Sequence, residues 1–328
     1  MQTYLDFEKP IAALEAQIRE LRALVEEGAQ QGAQEREAGI DIADNVRALE
    51  AKVATQIEAL YKTLDPWQKT QVARHAGRPH TLDYIEALVE DFTPLAGDRL
   101  YGEDYAIIAG LGRIGGMRVA LLGHEKGSDT QGRLHHNFGM ARPEGYRKAT
   151  RIMELADRFG LPLISLVDTA GAYPGIGAEE RGQSEAIARC TDRSLRLGVP
   201  FVSIIIGEGG SGGALALASA NHIFMLEHSI YTVASPEACA SILWRSSQQA
   251  DVAARALCIT AQDLLRLKVI DAILPEPIGG AHRAREIMME QVGNALTQEI
   301  MRLNALTPES LREQRRHKFL EMGRTLNM

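Results

Sequence analysis

The 328-residue chain is short of cysteine, of positive charge and of long apolar runs, and each shortage removes a class of protein. Cys190, Cys239 and Cys258 stand far apart, with none of the paired spacing that holds zinc or a disulfide framework, so no metal is expected here. They read as three small buried hydrophobes. Lys and Arg number 36 against 43 Asp and Glu, a formal net charge of −7, so the basic surface that general nucleic-acid binding needs is missing. No apolar stretch is long enough to cross a bilayer before Gly, Pro or a charge breaks it. Met1–Pro10 contains Asp6, Glu8 and Lys9 and lacks an apolar signal core, which makes the protein cytoplasmic by expectation. The sequence also lacks any convincing acid–base constellation.

What is present is a globular composition: 45% hydrophobic and 24% charged residues, the charges mixed in sign. The length suits one large domain with an appendage. Ile11, Leu14, Ile18, Leu21 and Leu24/Val25 recur at helical spacing, and Ile42, Val46, Leu49, Val53, Ile57 and Leu60 repeat the pattern after a break over Gly28–Gly39. Two striped helices in succession predict an antiparallel hairpin, read as a packing arm without chemistry.

Beyond Asp98 the texture changes. Tyr105–Ala109 and Met117–Leu122 predict a hairpin-connected strand pair, with Gly110, Gly112, Gly115 and Gly116 between them. Glu144–Phe159 predicts a helix and Leu163–Val167 a strand ending at Asp168. A loop over Thr169–Gly175 follows, then a helix from about Gly182 to Leu197. Phe201–Ile206 is a continuous apolar run, as in a strand covered on both faces. Gly207–Gly213 comes next, then a helix over Ala214–Ala220, strands at His222–Leu226 and Ile230–Val233, and helical texture from Ala281 onward. Strand, loop and helix in repetition imply an α/β fold with largely parallel strands.

The run Gly207-Glu208-Gly209-Gly210-Ser211-Gly212-Gly213 fits three descriptions. Gly207, Gly209 and Gly212 match a dinucleotide-binding fingerprint, with Glu227 as the acidic partner. Gly209, Ser211 and Gly213 match a nucleophile elbow, for which His222, His228 or His282 would supply the base. In the third, the glycines let a ligand approach the backbone, and the unpartnered N–H groups of Gly212 and Gly213 at a helix N-terminus form an oxyanion hole. Ser211 is then an N-cap.

Longer motifs carry a resemblance. Asp168-Thr169-Ala170-Gly171-Ala172-Tyr173-Pro174-Gly175 with Gly177–Ala188, the Gly207–Gly213 run, Ser235–Trp244 and Pro275–Arg283 are similar to the alpha subunit of acetyl-CoA carboxyltransferase. Asn137–Met140, Pro143–Ala149 and Leu5–Glu8 belong to the same pattern, and the similarity spans about residues 4 to 320 in the expected order. Two departures stand out: Ala170 where the family has Pro, which loosens the loop, and Ala238 where Gly is usual.

The resemblance implies a ClpP/crotonase-like spiral of ββα units over residues 98–280. A helical N-terminal region with a connecting segment covers 1–97, and C-terminal helices cover 281–328. It implies a carboxyltransferase that moves the carboxyl group of carboxybiotin onto acetyl-CoA, giving malonyl-CoA, the first committed step of fatty acid synthesis. The partners implied are a beta subunit in an α2β2 assembly, a biotin carboxyl carrier protein bearing the biotin, and a separate biotin carboxylase that uses the ATP. Zinc belongs to the beta subunit. Gly212 and Gly213 would hold the biotin ureido oxygen through their N–H groups, with Gly209, Gly210, Ser211, Gly171, Ala172 and Tyr173 lining the site. Biotin itself then serves as base, which accounts for the lack of an acid–base set. Arg133, Arg142, Arg147 and Lys148 read as a solvated helix face and loop in preference to a contact with CoA phosphates. A serine hydrolase is the enzymatic alternative, and a degenerate scaffold that only organises a partner is the non-enzymatic one.

Overall fold

The computed structural model describes residues 3–28 and 34–324. Helices α1 (Lys9–Gly28) and α2 (Gln34–Lys62) form the expected hairpin. It is antiparallel, because Tyr61 reaches back to Glu8 while Arg22 pairs with Glu50. The two apolar stripes close on each other: Ile11, Ile18, Val46, Val53 and Ile57 are buried in one cluster. The side chain of Val25 and residues 29–33 lie outside the described residues. The break is shorter than Gly28–Gly39, since α2 has already begun at Gln34. Asp65 then caps α3 (Pro66–Ala73) with a reciprocal bond to Gln68, and α4 (Thr81–Leu88) follows.

Eight strands form one mixed sheet: β1 (Glu90–Pro94), β2 (Ile107–Ile114), β3 (Met117–His124), β4 (Leu163–Thr169), β5 (Phe201–Gly210), β6 (His222–Leu226), β7 (Ile230–Thr232) and β8 (Ala272–Leu274). Their order is β1-β2-β3-β4-β5-β6-β8, with β7 also paired to β5. The first three are antiparallel and the rest parallel. The predicted hairpin is β2–β3, but its first strand starts at Ile107 and runs through Gly110 and Gly112. The turn is Gly115-Gly116 alone, with φ of +55° and +78°, the left-handed pair that a tight hairpin requires.

Between and after the strands lie α5 (Thr130–His135), α6 (Pro143–Phe159), α7 (Ile176–Glu180), α8 (Gln183–Arg196), α9 (Ser211–Ala218), α10 (Pro236–Trp244), α11 (Ala250–Ala256) and α12 (Ala261–Arg266). The C-terminal helices are α13 (Arg285–Asn304) and α14 (Pro308–Glu321). They cover the sheet on both faces. Alternate residues of β4 and β5, Leu163, Val167, Phe201 and Ile205, join the core under α6, α8 and α9. Their neighbours Ile164, Leu166, Val202, Ile204 and Ile206 join the core with α4 and α13. Burial on both sides is why β5 reads as an unbroken apolar run. The described residues thus form an α/β fold with helices at both ends, in the class that the sequence implies. No helix among them is long and apolar enough to cross a membrane.

Cys190 is buried as expected, but Cys239 and Cys258 are only partly covered. No group of potential ligands that could hold a metal ion occurs among the described residues.

Candidate active site

Strand β5 is where the sheet branches. Its first half pairs with β6 through Val202–Ile205, and its last three residues pair with β7 through Glu208–Gly210. Against β4 the register slips between Val167↔Ile205 and Thr169↔Gly209, so β5 carries a bulge there. Gly207–Gly210 are therefore strand, where sequence reasoning places a loop, and α9 starts at Ser211 instead of Ala214.

The bulge brings the ends of β4 and β5 together. A side chain at Gly210 would collide with the carbonyl of Ala170, and one at Gly213 would come within 2.8 Å of Tyr146 Oη and 2.9 Å of Ala172 N. The structure thus joins Gly210 and Gly213 to the Ala170–Ala172 loop through close backbone approach. Gly212 differs: a methyl there meets only Ile187, at an ordinary 3.5 Å. It lines an apolar cavity of about 360 Å³ with Ser211, Leu215, Tyr231, Val233 and Leu257. Tyr173 is held by its backbone, donating to Ala141 O and accepting from Gln183 Nε2, and its ring lies under the Arg142 guanidinium.

The role expected of Ser211 is corrected. The N-cap of α9 is Gly210, which has no side chain to offer, and no side chain caps the helix. Ser211 is the first helical residue, exposed, with φ +53°, and none of the five glycines around it has positive φ. The glycines are thus kept for close approach, and the serine takes the left-handed position. The uncapped first turn leaves its N–H groups without intrahelical acceptors, and the positive end of a helix favours negative charge.

This backbone resembles a nucleophile elbow, but the histidines that would complete it are engaged elsewhere. His222 Nδ1 is 3.0 Å from Glu299, His228 packs its ring on Tyr61 while its backbone N–H donates to Glu276, and His282 stacks on His75. The cavity at Ser211 is lined by no His, Asp, Glu, Lys or Arg. Burial pushes its single titratable neighbour, Tyr231, up to about 12. The hydrolase alternative finds no support.

Under the bulge lies a set of charges that local sequence reasoning missed. Lys126 Nζ is 2.8 Å from Asp168 Oδ1 and 2.7 Å from Glu208 Oε2. Arg74 bonds Glu208 and, on α10, Glu237, each at 2.5 Å. His80 Nδ1 lies 3.1 Å from Asp168 Oδ2. Burial opposes the charge on both carboxylates, but Lys126 outweighs it and holds Asp168 and Glu208 below the usual carboxylate range, with His80 and Arg74 assisting. The same pairing raises Lys126 against its own burial. Read in a loop, Glu208 gives no signal; once it lies inside a strand covered on both faces, its carboxylate must be paired. Lys148 leaves the solvated face predicted for it, since it is buried against Glu103 and the Asp104 carbonyl.

Solved structures share this architecture. The beta subunit of geranyl-CoA carboxylase from P. aeruginosa superposes with a TM-score of 0.55 at 16% identity, covering 75% of this chain and 46% of that one. The fold is that of the crotonase-type carboxyltransferases. Sequence comparison narrows the class, because the family described as acetyl co-enzyme A carboxylase carboxyltransferase-like matches residues 4–323. The acetyl-coenzyme A carboxylase carboxyl transferase subunit alpha of Methylobacterium nodulans is 60% identical over 326 residues, 99% of this chain and 100% of that one. Its counterpart from Parvibaculum lavamentivorans is 59% identical over 324 residues, 99% of each chain. The chain belongs to this family of carboxyltransferase alpha subunits.

Proposed function

We propose that this chain supplies the half-site that receives carboxybiotin, while a beta subunit presents acetyl-CoA. The observation that carries the reading is the uncapped N-terminus of α9, where Gly212 opens on an apolar cavity without acid or base. Loss of CO2 from carboxybiotin leaves negative charge on the ureido oxygen, the ring can then take a proton from the acetyl methyl group, and the resulting thioester enolate attacks the CO2 to give malonyl-CoA. What this chain contributes is placement and charge stabilisation. The Gly212 and Gly213 amides face the oxygen, Gly209, Gly210 and Ser211 keep the approach open, and Gly171, Ala172 and Tyr173 brace the loop opposite. Donors of this kind are each worth roughly 2.7–4 kcal/mol of barrier. The apolar walls raise their effect by excluding water.

The reading entails a biotin carboxyl carrier protein that brings the donor, and a biotin carboxylase that consumes ATP elsewhere. It entails an α2β2 assembly in which zinc sits on the beta subunit, and cytoplasmic residence. The test is malonyl-CoA decarboxylation dependent on a soluble biotin analogue, with the chain assembled on its beta subunit and each subunit alone as control. Activity is expected from the mixture only. Gly212→Val fills the approach from a position whose Cβ meets only Ile187, and is expected to lower turnover at least tenfold (roughly 1.4 kcal/mol) with assembly intact. Wild-type turnover by that variant overturns the oxyanion assignment.

A further inference from the structure

The widest cavity among those described lies away from the glycine run, between α6, α8 and the loop before β2. It has a volume of about 790 Å³, and its wall includes Arg99, Tyr101, Arg147, Arg151, Arg181 and Arg189. Three carboxylates share that wall. Asp98 Oδ1 accepts the backbone N–H groups of Leu100, Tyr101 and Gly102, Glu185 is paired with Arg189, and Glu154 stands by itself. Arg181 is neutralised by Glu144 and stacks over Tyr101, and Arg147 donates to the Arg181 carbonyl with Asp98 3.9 Å away.

Arg99 and Arg151 are different. Both guanidinium groups donate to the same carbonyl, Ala96 O, at 3.2 and 3.0 Å, and Arg151 also holds the carbonyls of Gly97 and Leu95. Neither has a described carboxylate at ion-pair distance. Partial burial and then the neighbouring Arg99 charge lower the Arg151 pKa, with Glu103 and Asp98 opposing. Arg99 is held over the cavity at φ +65°, by the loop that Asp98 ties together. Two like charges converging on one carbonyl at the rim of a concave site, neither of them in an ion pair of its own, call for an anion. Paired planar guanidinium groups suit the bidentate geometry of a phosphate, and the volume suits a nucleotide-sized molecule.

We propose that this groove binds a phosphate-bearing ligand, with one phosphate between Arg99 and Arg151. The inference stands on the groove and not on the carboxyl-transfer reading, because it is read by binding alone. The phosphate has two possible sources, the nucleotide end of CoA or a free phosphorylated metabolite. Calorimetric titration of the full-length chain with CoA, ADP and inorganic pyrophosphate separates them. Saturable binding that weakens with salt is expected, and both Arg99→Glu and Arg151→Gln are expected to weaken it by roughly tenfold or more. CoA binding tighter than ADP assigns the groove to the substrate's nucleotide end, and equal or tighter binding of ADP or pyrophosphate assigns it to a free metabolite. Arg151→Gln removes bonds to three carbonyls, so Arg99→Glu, at an exposed position, keeps the test valid if that variant misfolds. Absence of saturable binding by all three probes overturns the proposal, as does binding that Arg99→Glu leaves unchanged.

Discussion

The Asp168 carboxylate accepts the backbone N–H of Glu208 at 2.9 Å, and Lys126 bridges the two carboxylates from above. This relationship ties the end of strand β4 to the bulge of β5, and so sets the spacing of the segments that meet at Gly213. Removing the ammonium would leave two carboxylates buried together. Lys126→Met is therefore expected to destabilise the chain by about 3–5 kcal/mol, the cost of an uncompensated buried charge. Urea unfolding measures it. Lys126→Met combined with Glu208→Gln should recover part of the loss, and a single-variant cost below about 1 kcal/mol would show the bridge to be unimportant.

The two neighbouring glycines of α9 should respond differently to the same change. Gly213→Ala places a methyl 2.8 Å from Tyr146 Oη and 2.9 Å from Ala172 N, inside a buried contact. It is expected to cost about 1–3 kcal/mol by overpacking. Gly212→Ala meets only Ile187 at 3.5 Å, and is expected to stay within about 1 kcal/mol of wild type, since alanine suits a helix better than glycine. Thermal unfolding of both decides it, and equal effects would contradict the packing described here.

Ser211 offers a third contrast. Its φ of +53° suits glycine better than serine, and its side chain caps nothing. Ser211→Gly should relieve about 1 kcal/mol of backbone strain, and Ser211→Ala should leave turnover of the assembled enzyme within a small factor. A fall in turnover of two orders of magnitude in Ser211→Ala, with assembly intact, would return the serine to a chemical role.

Much of the frame was legible in the residues. Stripes at helical spacing gave the α1–α2 hairpin, and apolar runs bounded by Pro200, Gly and Asp168 gave β4 and β5. Periodicity is silent across Gly207–Gly213, where strand, bulge and helix start depend on what the other side of the sheet allows. It was therefore unable to show that the serine, and not a glycine, takes the positive φ. The charge bridge was hidden for another reason. Arg74, Lys126, Asp168 and Glu208 come from four separate elements, and only the folded sheet brings them together. Two of the long motifs that marked the family, Asp168–Gly175 and Gly207–Gly213, come together at Gly213, while the others are spread over separate helices and loops.

Acid should weaken this fold through its histidines before its carboxylates. Burial holds His124 down to about 4, with Asp168 opposing and Lys126 reinforcing that shift. Burial, and then His75, hold His282 down to about 3. Both rings have nitrogens without partners, and His124 is wholly buried. An unfolded histidine takes its proton near pH 6.5. Below that pH the unfolded state binds more protons than the folded one, so stability is full above about 6.5 and falls as pH drops towards the folded values. Each ring should cost roughly 2 kcal/mol by pH 5. Glu276 behaves differently: burial opposes its charge, but Arg78 holds it down to about 2, so its contribution persists until pH falls below the usual carboxylate range. Urea unfolding between pH 7 and 5 is expected to show the loss, and His124→Asn should flatten the slope by about one proton. A stability unchanged over that range, or a slope indifferent to His124→Asn, would mean that these rings accept protons in the folded state.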